Sequence, residues 1–256
     1  MKILNRLYKI GKVLTLGISL LFISSSSFLY LYNQRGSVIA YLYPSYKKDN
    51  KIDIRDKDIE FANKIMEGGF IIHFRHAERD KWIDVQMYDS LESDLHNNGV
   101  NESRYAENDY FKNAVCLNQR GLIQAKAIGE HIKNIKMPIG FIISSPSCRS
   151  RQTAEIAFGR YDKLDRDLVH VGPYIEEKSK RIEKLKNLYL NLPINKDGNT
   201  IVSSHNSVID SNMFENSNDP KLSLEEGGFY VISRKNNKLY LEHEFHHFKD
   251  FIRIFY

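Results

Sequence analysis

Short apolar runs that end in polar clusters recur along the chain, separated by segments of helical spacing. This alternation constrains the fold more than any other feature. Phe70-Ile71-Ile72-His73-Phe74 reads as a buried strand, Ile139-Gly140-Phe141-Ile142-Ile143 as a second and Thr200-Ile201-Val202-Ser203-Ser204 as a third. Between them, Leu122, Ala125, Ile128, Gly129 and Ile132 recur at helical spacing before the break at Pro138, and Arg149 to Phe158 forms another helical segment. Leu168 to Val171 is expected to be a short strand. Ile182, Leu185, Leu188 and Tyr189 mark a helix face ending near Pro193. Phe229 to Ser233 and Lys238 to Phe245 read as a hairpin around Asn236-Asn237. Upstream, Ile59, Ala62, Ile65 and Met66 have helical spacing, stopped by Gly68-Gly69. The pattern predicts an α/β domain, a three-layer α/β/α arrangement around a mainly parallel sheet.

The N-terminus reads differently. Lys2, Arg6, Lys9 and Lys12 precede Val13 to Tyr32, a stretch with no charged residue that is long enough to cross a bilayer as a helix. Ser24 to Ser27 soften its middle, so a cleaved signal peptide with a core ending near Ile23 is the alternative. Phe28-Leu29-Tyr30-Leu31-Tyr32 extends the apolar run and no Ala-x-Ala site follows it, which favours an uncleaved anchor. Either reading puts the rest of the chain outside the cytoplasm, with the basic end inside. The expected organisation is a basic cytoplasmic end at 1–12, a hydrophobic helix at 13–32, a linker at 33–58 and a catalytic domain at 59–256.

Charge narrows the partners. Lys and Arg total 37 against 32 Asp and Glu, and the excess of five is matched by Lys2, Arg6, Lys9, Lys12 and Arg35, in a segment with no acid. The remaining chain is neutral overall, which gives no support to a nucleic-acid-binding face. The two cysteines, Cys116 and Cys148, suit either two buried thiols or, in an oxidising compartment, a disulfide. No cysteine or histidine grouping has zinc-site spacing, so no structural metal is expected.

In a parallel sheet covered on both faces, ligands sit beyond the carboxyl ends of the strands. Three expected strands run there into polar clusters: Arg75-His76-Ala77-Glu78-Arg79, Ser144-Ser145-Pro146-Ser147-Cys148-Arg149, and His205-Asn206-Ser207. Two histidines and two arginines thus converge on one rim. Arginine suits bidentate recognition of phosphate oxygens, and a helix start after Pro146 adds backbone donors and a favourable dipole. A neutral imidazole is a nucleophile that can form a covalent intermediate, and phosphoryl transfer needs chiefly positioning and positive charge.

At these residues the sequence resembles the histidine phosphatase superfamily, of phosphoglycerate-mutase-like fold. The family's Arg-His-Gly appears as Arg75-His76-Ala77. Its leucine-x-x-x-glycine-x-x-glutamine-alanine helix start appears as Leu117 to Ala125, with Gly121 and Gln124 in place. Its Ser-Pro-x-x-Arg-x-x-Gln-Thr segment appears as Ser145 to Thr153, and its second histidine as His205. The resemblance covers roughly residues 69 to 246. It implies that His76 attacks phosphorus, that Arg75, Arg149 and His205 hold the phosphoryl oxygens, that water releases the phosphate, and that neither metal nor cofactor takes part. It also implies a general acid where relatives carry a carboxylate, a position occupied here by His170, with Glu78 and Glu176 as competitors. Arg-His-Ala-Glu-Arg, the Cys-Leu before the Gly121 helix, an exported location and the Gly-Phe-Tyr-Val-Ile hairpin are most similar to the branch of lipopolysaccharide core heptose phosphate phosphatases. The implied partners are a phosphorylated small molecule or glycan and, through the N-terminal helix, a membrane. A phosphomutase of the same fold and an inactive binder of a phosphorylated envelope component are the rival readings.

Overall fold

The structure is a computed structural model, and it describes residues 56–80, 115–169, 177–217 and 222–256, all within the compact unit Ile54–Tyr256. The expected basic end, hydrophobic helix and nearly all of the linker lie outside the described residues, as do His170 and Glu176.

Five α-helices and six strands are described. In chain order they are α1 (Asp56–Glu67), β1 (Ile71–Arg75), α2 (Gln119–Ile135), β2 (Ile139–Ser144), α3 (Cys148–Phe158), β3 (Lys163–Leu164), α4 (Lys178–Asn191), β4 (Asn199–Ser204), β5 (Phe229–Lys235), β6 (Lys238–Phe245) and α5 (Phe248–Ile252). The strands form one sheet in the order β3-β2-β4-β1-β5-β6. β3, β2, β4 and β1 pair in parallel, and only β5 runs against its neighbours. The sheet is therefore mainly parallel, as its buried, unalternating strands predicted.

Alternation along each strand sends side chains to two separate cores. Ile72, Phe74, Ile142, Ile201, Phe229 and Val231 meet α1, α2, α3 and α5 on one face. Ile71, Ile143, Val202, Tyr230 and Ile232 meet α4 and the 3₁₀ turns on the other. On the first face Phe229 lies 4.7 Å from Phe74, 4.9 Å from Phe245 and 5.2 Å from Phe251, centroid to centroid. Such ring pairs add about 0.5–1.5 kcal/mol each beyond the area they bury. At the opposite end of the sheet from the polar clusters, buried Asn199 ties three elements together. Its Nδ2 donates to the carbonyls of Ile65 and Pro138, and its Oδ1 accepts from the Phe70 N–H.

Two elements differ from expectation. Of the strand expected over Leu168 to Val171, only Leu168 and Val169 are among the described residues, and Leu168 closes a 3₁₀ turn, Arg166–Leu168, because Asp165 caps it by accepting from the Asp167 N–H and the Leu168 N–H closes on the Asp165 carbonyl. The edge strand is the earlier pair Lys163–Leu164, beside Ile143 and Ser144. The C-terminal helix α5 was not foreseen. Five residues are too few for a periodic signal, yet it buries Phe248, Phe251 and Ile252, and the Asp250 carboxylate accepts the His247 N–H at its start. The hairpin turn Asn236-Asn237 is as expected, with both residues at positive φ, the geometry that suits the twist of two-residue hairpins.

Candidate active site

β1, β2 and β4 lie abreast, with β4 in the middle, so their carboxyl ends deliver three chain segments side by side. Backbone pairing continues past the strands: the His76 N–H donates to the Ser204 carbonyl and the Ser145 N–H to the Ser203 carbonyl, both at 2.9 Å. His76, Ser145 and His205 are thereby fixed in one row. The expected convergence of the two histidines with Arg149 is present.

His76 is buried, and its Nδ1 lies 2.7 Å from the Ala77 carbonyl oxygen. A carbonyl can only accept, so Nδ1 carries the ring proton and Nε2 is left with its lone pair. Burial holds the His76 pKa well below its usual 6.5, and the positive charge of Arg149, then of Arg75 and Arg79, pushes the same way against the opposing Ala77 hydrogen bond. The ring is a neutral base with a defined tautomer.

Arg149, the second residue of α3, is fully buried. It donates through Nη2 to Nδ1 of His205 at 3.2 Å and through Nη1 to the Val115 carbonyl at 3.5 Å. A guanidinium only donates, so Nδ1 of His205 accepts and its proton sits on Nε2. That nitrogen lies 3.1 Å from the hydroxyls of both Ser145 and Ser147. The rings of His205 and His76 are edge to face, 5.3 Å apart. Ser147 is the N-cap residue of α3 but makes no capping bond with its side chain, because its hydroxyl turns to His205 and Ser150.

Arg75 and Glu78 reach the same rim with their side chains directed elsewhere. Arg75 donates to the Leu224 carbonyl and pairs with Glu226 at 3.2 Å, so its described hydrogen bonds are to protein groups and its effect on His76 is electrostatic. The Glu78 carboxylate faces the start of α2, 2.5 Å from Arg120 and 3.4 Å from the amide of Asn118. The structure does not bring it to His76.

The remaining motif residues hold the His76 loop and the segment that leads into α2. The Ala77 N–H donates to the Thr153 hydroxyl, which donates to the Arg149 carbonyl. Gln124 accepts from the Glu78 N–H and donates to the Glu226 carbonyl, and Gln152 accepts from the Leu117 N–H. Gly121 is there for space: a Cβ on it would lie 1.9 Å from the Glu78 carbonyl oxygen. Cys116 and Cys148 form a disulfide with Cα atoms 4.8 Å apart, tying the chain before α2 to the first residue of α3. Both alternatives for the cysteines were open in the sequence, and the disulfide is the one realised.

Sequence reasoning missed Ser147, Ser150, Glu226, His73 and Tyr189. Of these only His73 carried a signal, as a polar residue inside an apolar strand run, which demands a buried partner. Among the described residues no three His, Cys, Asp or Glu side chains are grouped to hold a metal ion.

Residues 71–169 match the profile of the histidine phosphatase superfamily (branch 1). No curated protein matches the sequence. Solved structures similar to the chain include phosphoserine phosphatase from Entamoeba histolytica in complex with 3-phosphoglyceric acid, at 15% identity and a TM-score of 0.45, covering 68% of this chain and 95% of that one. The protein histidine phosphatase SixA complexed with tungstate is 13% identical, with a TM-score of 0.42, covering 68% and 95%. TTHB049 from Thermus thermophilus is 14% identical, with a TM-score of 0.41, covering 67% and 97%. At such identities and scores they carry no function across to this chain.

Proposed function

We propose that this chain hydrolyses phosphomonoesters through a phosphohistidine formed on Nε2 of His76. One observation carries the reading: the buried His76 ring is neutral, its proton held at Nδ1 by the Ala77 carbonyl, with Arg149 and His205 beside it. Nε2 attacks phosphorus as the ester P–O bond breaks, the leaving oxygen taking a proton from a general acid; water then attacks phosphorus, giving a proton back to that group as the P–N bond breaks, which releases phosphate and restores the imidazole. In both transition states negative charge is spread over the phosphoryl oxygens, where the Arg149 guanidinium and the donors at the start of α3 stabilise and position it. Arg75 would join them by exchanging its Glu226 contact for phosphate. Among phosphomonoesters, phosphorylated sugars of the cell envelope are the proposed substrates. The sequence resemblance supports this choice, and the Cys116–Cys148 disulfide supports the oxidising compartment that it requires.

The test is trapping. The full-length chain incubated with a ³²P-phosphomonoester and quenched in alkali is expected to carry label, because phosphohistidine survives base, and to release p-nitrophenol from p-nitrophenyl phosphate in EDTA. His76→Ala should abolish both. Arg149→Ala should lower turnover by about 10²–10³ or more. Label surviving in His76→Ala would overturn the nucleophile, and transfer of label to a second acceptor in preference to water would make the protein a mutase.

A further inference from the structure

Beneath the site, on the face of β1 opposite Phe74, His73 is fully buried and takes no part in the chemistry above. Its Nε2 lies 3.1 Å from the backbone carbonyl of His205, and its Nδ1 lies 2.6 Å from the hydroxyl of Tyr189 on α4, also fully buried. The tautomer follows from chemistry. The His205 carbonyl can only accept, so Nε2 of His73 carries the proton, and Nδ1 of the neutral ring must accept from the Tyr189 O–H. Burial holds the ring neutral by lowering its pKa to about 4, and pushes the Tyr189 hydroxyl well above its usual value, so both protons stay in place near neutrality.

We propose that His73 and Tyr189 form a positioning pair that locates His205, and with it Arg149, against the phosphoryl group. The proposal deepens the phosphatase reading and rests on it for its kinetic part. The His205 carbonyl stands where β4 ends and a 3₁₀ turn begins. Its other donor, the Val208 N–H, comes from that turn at 3.3 Å. His73 supplies a second donor from a different strand, and Tyr189 prevents the imidazole from turning or changing tautomer. A backbone pinned at its carbonyl fixes the direction of the Cα–Cβ bond, and so the ring that meets Arg149 at 3.2 Å. Placement errors of about 1 Å in such a group cost on the order of 10² in rate. A purely apolar strand would fill the same space, so the polar pair is an addition that packing does not require.

The experiment uses the full-length chain and three variants. Tyr189→Phe removes one oxygen and keeps the ring. His73→Gln keeps an N–H donor near Nε2, whereas His73→Leu removes it. With p-nitrophenyl phosphate, Tyr189→Phe is expected to lower kcat about tenfold at nearly unchanged KM, the rate equivalent of one hydrogen bond. His73→Leu should lose at least as much, and His73→Gln should recover most of that loss. Independently of activity, ¹⁵N NMR of the wild type should show the His73 ring neutral with its proton on Nε2 at pH 7, and the His205 ring signals should shift in Tyr189→Phe. Wild-type kcat in Tyr189→Phe, equal losses in the Gln and Leu variants, or a His73 proton on Nδ1 would overturn the pair. If the wild type hydrolyses nothing, the phosphatase reading fails, and the two NMR observations alone decide the positioning claim.

Discussion

At the level of single residues, the site depends on where protons sit. Both histidines of the rim have their tautomers set by groups of one-way hydrogen-bonding character: a carbonyl for His76 and a guanidinium for His205. Acidification works against the buried rings. The unfolded chain takes up a proton at His73 near 6.5 but the folded one only near 4, so stability is whole above about 6.5 and is lost as pH falls through that window. By pH 4 the loss from His73 alone is about 3 kcal/mol, and His76 adds to it in the same direction. Urea titrations at pH 7 and 4.5 should show this, with a shallower drop in His73→Gln. A drop of equal depth in that variant would assign the acid lability to other groups. The general acid is a separate matter at this scale. With Glu78 turned to Arg120, we propose His170, and His170→Ala should slow sugar phosphates by about 10²-fold while sparing p-nitrophenyl phosphate, whose leaving group needs no proton. Equal losses on both substrates would make His170 a binding or structural residue.

Elements matter through the way α2 and α3 brace the His76 loop. Thr153 and Gln124 answer the Ala77 and Glu78 N–H groups of that loop, Gln152 answers the Leu117 N–H just before α2, and Gly121 lets α2 approach the Glu78 carbonyl. Gly121→Ala would place a methyl group in contact with that carbonyl. Displacing either α2 or the loop should destabilise the fold by about 1–3 kcal/mol, and should reduce kcat by more than the stability loss explains. A variant with unchanged kcat would show that the loop tolerates displacement. The motif letters Gly, Gln and Thr were legible in the sequence, but their jobs were not. A helix start and a strand end that are distant in the chain are brought together only when the sheet forms.

For the whole molecule, the charge distribution and the disulfide point to one compartment. Basic residues sit before an uncharged N-terminal stretch, the rest of the chain is neutral, and Cys116 is bonded to Cys148. We propose a chain held in the inner membrane with its domain exported. Alkaline phosphatase fused after Tyr256 is expected to be active, and the protein to be in the membrane fraction with both cysteines protected from alkylation. An inactive fusion would reverse the orientation, and a soluble protein starting near Phe28 would mean a cleaved signal.

Pattern alone determined the layer order, the mainly parallel sheet and the rim where His76, Arg149 and His205 meet. Strand period, helix period and the polar ends of buried runs are local properties, written in consecutive residues. Tertiary structure decided what no window of sequence contains: that Arg75 turns to Glu226, that Glu78 faces α2, that the two cysteines join, and that His73 on β1 meets Tyr189 on the helix packed over it. Each of these is a pairing between residues distant in the chain. A buried polar group must find a partner, but which one it finds depends on the packing of all the layers together.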